Sequence, residues 1–253
     1  VAAAVNPVSL QDVTRALERG DHEAVLQATD EILAVRPGDD AAHEHRARAL
    51  LALGRLEEAE RHAGDAVRLD PDEIRYRELL ANVLSRRGAH RDAAAEYGRL
   101  ARNDPRQPDW TVAEARERIG AAQASMGVDA ARRAIRLDPS NGRAQLALAQ
   151  ALARTGDARG ALRAAARAVE LLPGDPEARE ALADALWLAD RDGPAFDEFR
   201  AVAAEVSGAN RERVLGKARA LYRQRAGSVG KAIAAIGPLF DLAFGRGWLR
   251  VSE

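Results

Sequence analysis

The sequence predicts an all-α protein, an α-α superhelix of antiparallel helix pairs, and three observations carry that prediction. The phrase Ala66-Val67-Arg68-Leu69-Asp70-Pro71 returns as Ala134-Ile135-Arg136-Leu137-Asp138-Pro139 and as Ala168-Val169-Glu170-Leu171-Leu172-Pro173. The closing prolines, joined by Pro37 and Pro105, recur every 34 residues from 37 to 173, and a fixed period of that length marks a stacked repeat array. The composition agrees: 47% of residues are hydrophobic, many of them alanine, while only 4% are aromatic. Helices packed at close range need small apolar side chains, and in such an array each repeat buries its apolar face on its neighbours.

The period divides the chain into six repeats, at about 6–39, 40–73, 74–107, 108–141, 142–175 and 176–207, with a helical cap or tail over 208–253. In the second repeat, Ala42 to Leu53 reads as a first helix stopped by Gly54, a residue suited to the left-handed conformation at a helix C-terminus. Leu56 to Leu69 reads as a second helix stopped by Pro71. Ala47, Ala59 and Ala66 fall where the two helices approach most closely.

These residues resemble the tetratricopeptide repeat, whose signature has small residues at three fixed places, a glycine between the helices and a proline at the end. Ala47, Gly54, Ala59, Ala66 and Pro71 fill those places in repeat two; Ala149, Gly156, Ala161, Ala168 and Pro173 fill them in repeat five. Repeat three keeps Ala81, Gly88, Ala93 and Pro105 but has Leu100 at the second-helix alanine. Repeat one keeps Gly20 and Pro37 with Val25 and Ile32 at alanine places. The resemblance implies a right-handed solenoid.

Repeat four departs most. Ala122 stands at the usual glycine and Gly127 at the usual alanine, while Val112, Ala115, Ile119, Ala122 and Met126 share one helical stripe. That stripe predicts a first helix running to about Met126, a turn at Gly127 and a short second helix to Leu137. The alternative is an ordinary repeat with Gly127 inside a helix, at a cost of roughly 1 kcal/mol. In repeat six Asp190 and Ser207 replace the glycine and proline, and Asp175-Pro176-Glu177 reads as a helix start with Asp175 as N-cap. Beyond it, Val214, Leu215, Ala218, Leu221 and Tyr222 form an amphipathic stripe ending at Gly227. Ser228 is expected to cap a further helix, so that 208–244 reads as a seventh, degenerate pair.

Charge and chemistry narrow the function. Charged residues make up 30% of the chain yet cancel to a net −1, which predicts no nucleic-acid partner. With no cysteine there is no disulfide and no thiolate metal site. No apolar run approaches the roughly 18–20 residues that span a bilayer. The first residue is Val1; a cytoplasmic protein is expected, with export or anchoring left open by any preceding segment. Nearly every basic residue is arginine, Lys217 and Lys231 excepted, which reads first as genome composition. No His-Glu-x-x-His, phosphate loop or Gly-x-Ser-x-Gly is present. His43 and His45 are two apart on a helix and point in different directions; His22 and His90, just after the glycines, read as structural or solvent-facing. The chain is therefore expected to be no enzyme and to need no metal or cofactor.

The resemblance instead implies a concave groove lined by the first helices, binding another protein or a peptide. Carried over, the lining would include Arg48, Arg75, Asn82, Arg86, Arg116, Arg143, Gln150, Arg154 and Trp187, with Glu44, Glu78, Asp109, Glu177, Glu180 and Asp184 among them. The middle of that groove leans basic and its C-terminal end acidic, which suits an extended peptide carrying acidic groups; the same residues could equally be solvated helix faces. The family's chaperone-binding carboxylate clamp is not expected, because its places hold Leu10, Thr14, His45, Arg75 and Leu79 and only Arg75 has the right character. From Ser207 onward nine basic residues oppose three acidic ones, beside Phe240, Phe244 and Trp248. That segment is read first as a cap for the last apolar face, then as a homodimer contact through 228–253, and least as a membrane-surface contact.

Overall fold

The computed structural model describes residues 9–226, and within them the chain is helical throughout, without strands. The helices in order are α1 (Leu10–Glu18), α2 (His22–Val35), α3 (Asp40–Ala52), α4 (Leu56–Leu69), α5 (Ile74–Arg86), α6 (His90–Asn103), α7 (Pro108–Gly120), α8 (Ala124–Leu137), α9 (Gly142–Thr155), α10 (Ala158–Leu171), α11 (Pro176–Leu188), α12 (Asp192–Glu205) and α13 (Gly208–Ala226). Each packs on the helix before and after it, and the odd-numbered helices also touch one another across α1–α3, α3–α5, α7–α9 and α9–α11. The odd helices therefore form the inner layer of a superhelix and the even helices its outer layer.

Local chemistry sets the boundaries. Asp39, Asn141 and Asp175 cap α3, α9 and α11, accepting hydrogen bonds from Ala42, Ala144 and Ala178 backbone N–H groups; α11 opens with Pro176, as its Asp-Pro-Glu start predicts. Ala47, Ala59 and Ala66 are fully buried. Close helix approach explains them, since any longer side chain would meet the facing backbone.

Repeat four folds as an ordinary helix pair, which corrects the expectation of a first helix reaching Met126. Helix α7 stops at Gly120, and Ala122 takes a positive φ of 58° in the place held elsewhere by glycines. Gly127 lies inside the full-length helix α8, buried against α7: a Cβ there would meet the Ile119 side chain at 3.1 Å and the Ala115 carbonyl at 3.3 Å. Met126, which seemed to complete the stripe, is 48% exposed. Neighbouring repeats on both sides fix where α7 ends, and that tertiary register overrides the local pattern.

Helix α13 buries Val214, Leu215, Ala218 and Leu221 against α11 and α12, around a fully buried Phe199. The expected helix after Ser228, the contact residues Phe240, Phe244 and Trp248, and the homodimer surface over 228–253 lie outside the described residues. No described helix is long and apolar enough to cross a membrane.

Candidate functional site: the inner face of the superhelix

Along the inner layer the charged side chains fall into three stretches. At the N-terminal end they are engaged. Glu44 on α3 is 2% exposed and bonded to Arg48 at 2.5 Å and to His45. Burial alone would push its carboxyl up, but the His45 hydrogen bond and the Arg48 and Arg75 charges prevail and hold it below the usual carboxylate range. Arg75 pairs with its own neighbour Glu73 at 3.1 Å. Asn82 accepts a 2.6 Å hydrogen bond from the Tyr97 hydroxyl.

The middle stretch is different. Arg86 at the end of α5, Arg116 on α7, and Arg143 and Arg154 at the two ends of α9 are exposed and have no ion-pair partner among the described residues. Two adjoining hollows lie here. One, of about 150 Å³, is walled by Arg116, Arg143, Leu146, Ala147, Gln150, Asp175 and Glu177. The other, of about 310 Å³, has an apolar floor of Ile119, Ala149, Ala153 and Ala181 and a rim that includes Arg154. Gln150 and Glu177 belong to both, and the Gln150 amide donates to the Glu177 carboxylate at 3.4 Å.

In the C-terminal stretch, part of the expected acidic end is paired from α13. Helix α13 delivers Arg213 to both oxygens of Glu180 and Lys217 to Glu180 at 2.7 Å and Asp184 at 2.6 Å. Burial pushes Glu180 up, the Arg213 and Lys217 hydrogen bonds outweigh it, and the net direction is down. Asp184 is raised, because burial there exceeds the pull of Lys217. Helix α13 thus pairs Glu180 and Asp184, whereas Glu177, which lines both hollows, has no ion-pair partner among the described residues. Trp187 packs edge-to-face on Phe199 at 6.3 Å, beside the core of the last helices, and lines neither hollow. The structure therefore gathers Arg116, Arg143, Gln150 and Arg154 and leaves Arg48, Arg75, Asn82 and Trp187 tied elsewhere.

Outside the groove, His90 is structural: its Nδ1 meets Glu117 at 2.8 Å, and its ring lies so close to Gly120 that a Cβ there would come within 2.8 Å. One grouping escaped the reading of adjacent histidines. His43 on α3 and His62 on α4 face each other with Asp65 beside them. The signal was a spacing of 19 residues, which also joins Arg77 to Glu96 and Arg179 to Glu198 between the two helices of a repeat.

Helix hairpins of uniform length, stacked with their first helices inward, define an α-solenoid. Tetratricopeptide repeat models match residues 16–83 and 142–185, so the chain carries tetratricopeptide repeats, units whose proteins generally mediate protein–protein interactions. A solved tetratricopeptide repeat protein from Parabacteroides merdae ATCC 43184 shares the fold with a TM-score of 0.73 at 17% identity, over 95% of this chain and 93% of that one. YrrB, described as a tetratricopeptide protein with an unusual peptide-binding site, aligns with a TM-score of 0.53 at 18% identity, over 70% of this chain and 91% of its own. Among curated proteins, the inactive TPR repeat-containing thioredoxin TTL3 of Arabidopsis thaliana is 37% identical over 75 residues, 30% of this chain. That match spans only 11% of the plant protein.

Proposed function

We propose that this chain is a non-enzymatic adaptor that binds an acidic, extended segment of a partner protein along its inner face. The observation that carries the reading is the set of guanidinium groups Arg116, Arg143 and Arg154 around two hollows, without ion-pair partners among the described residues, while Glu180 and Asp184 are already paired by α13. Arginine presents a planar fork of donors that matches a carboxylate bidentately. A ligand carboxylate fits the smaller hollow between Arg116 and Arg143, and a small apolar side chain fits the alanine floor of the larger one.

Fluorescence anisotropy with labelled peptides rich in Asp and Glu, against Lys-rich peptides of equal length, tests the reading. Acidic peptides should bind, more weakly as salt screens the contacts. The Arg143→Glu, Arg154→Glu double variant should lose about tenfold or more, since each charge-assisted hydrogen bond contributes roughly 1.5–3 kcal/mol. Equal affinity of wild type and double variant would remove the groove from the account.

A further inference from the structure

The imidazoles of His43 and His62 approach Nδ1 to Nδ1 at 2.9 Å, and their remaining contacts fix which nitrogen carries each proton. His43 Nε2 lies 3.0 Å from the Pro37 carbonyl, which can only accept, so Nε2 is protonated and Nδ1 is bare. His62 Nε2 receives the Arg46 Nε–H at 3.1 Å, so its proton sits on Nδ1 and is donated to His43. Asp65, one turn beyond His62 on the same face of α4, brings Oδ2 to 3.9 Å from His43 Nδ1 while Oδ1 takes Arg68 at 3.0 Å.

We propose that His43, His62 and Asp65 form a binding site for one divalent transition-metal ion of the zinc class. Two imidazole nitrogens and a carboxylate oxygen are ligands of the type such ions take, and all three ligand atoms lie within 4.8 Å of one another. His43 is already in the metal-ready tautomer, its far N–H anchored on a backbone carbonyl as metal-bound histidines commonly are. The half-exposed side of the cluster is that of Asp65, where water reaches the ion and completes four-coordination. In repeats three and six the corresponding places hold the ion pairs Arg77–Glu96 and Arg179–Glu198, which bring a fixed positive charge; repeat two replaces them with two neutral ligands.

Binding asks for two adjustments. Zinc–nitrogen bonds of about 2.0–2.1 Å set tetrahedral ligands roughly 3.3 Å apart, so the rings part slightly. His62 must also carry its proton on Nε2 instead of Nδ1, which places that N–H against the Arg46 Nε–H. Arg46 has to turn this nitrogen away while its Nη1 keeps the Leu26 carbonyl at 3.0 Å and Asp30 at 2.6 Å. Arg46 therefore weakens the site, and Arg46→Gln, which offers an acceptor instead, should tighten it.

Calorimetric titration of the full chain with zinc chloride, paired with visible absorption on titration with cobalt(II), is the test. One ion per chain should bind, with tetrahedral cobalt bands and a raised melting temperature. Asp65→Asn, whose side chain is partly exposed and whose folding is checked by circular dichroism, should weaken binding about tenfold or more; His62→Gln should abolish it, and His90→Gln should leave it unchanged. Absence of saturable binding would overturn the proposal, as would equal affinity in wild type, Asp65→Asn and His62→Gln.

Discussion

Ala122 shows what one residue can carry in a repeat. It adopts a φ of 58°, where its Cβ crowds the following carbonyl; a non-glycine residue there loses about 1–2 kcal/mol. Glycine would remove that strain at an entropic cost of roughly 0.5–1 kcal/mol in the unfolded chain. The first effect wins, so Ala122→Gly should stabilise the protein by about 0.5–1 kcal/mol, read as a higher urea midpoint at unchanged slope. Asp190, at 56° in the same place of repeat six, tolerates the left-handed region better, and Asp190→Gly should gain less.

Single helices explain which features the sequence disclosed. The proline and glycine punctuation placed α4 to the residue and α11 through its cap, because those signals act within a few residues of themselves. The stripe through Val112, Ile119 and Met126 misled because helical periodicity is local, whereas the end of α7 is fixed by contact with α8 and α9. Gly127→Leu distinguishes the two arrangements: a turn would accept it, but the buried face of α8 should lose about 1–3 kcal/mol to overpacking, measurable by urea unfolding. The groove was legible as a set of arginines but not as a pattern of free and occupied ones. Arg48 and Arg75 are occupied by Glu44 and Glu73 nearby in sequence, and the acidic end is paired by α13, whose Arg213 reaches Glu180 across 33 residues. Because the folded-state pKa of Glu180 lies below its unfolded value near 4.5, its contribution is full above that pH and is lost as pH falls. Wild-type stability should therefore drop more steeply below about pH 4.5 than that of Glu180→Gln, with melting temperatures recorded across pH 3–6 for both.

Across the whole molecule the apolar core is unevenly distributed. A large cluster joins α1 to α5 through Val13, Val25, Ile32, Leu50 and Val83, and another surrounds Phe199 among the last helices. Between them α7 and α8 pack through several smaller clusters, in which Val112, Ile119 and Val128 sit among alanines such as Ala115, Ala130 and Ala131. Small separate clusters remove less contiguous apolar area from water than the two large ones, so the interfaces here stabilise less. Stability in a solenoid is roughly a sum over repeats and nearest-neighbour interfaces, and α7–α8 also contain the strained Ala122. Hydrogen exchange followed by mass spectrometry should accordingly show α7 and α8 opening faster than α2 and α3, which sit in the large N-terminal cluster; equal protection would mean that the small clusters stabilise as much as the large one. The same thin seam has a mechanical meaning. Under tension applied to its two ends the superhelix should lengthen first at α7–α8, as a compliant coil between two stiffer ones, and Arg116 on one side and Arg143 on the other would change their separation with that stretch.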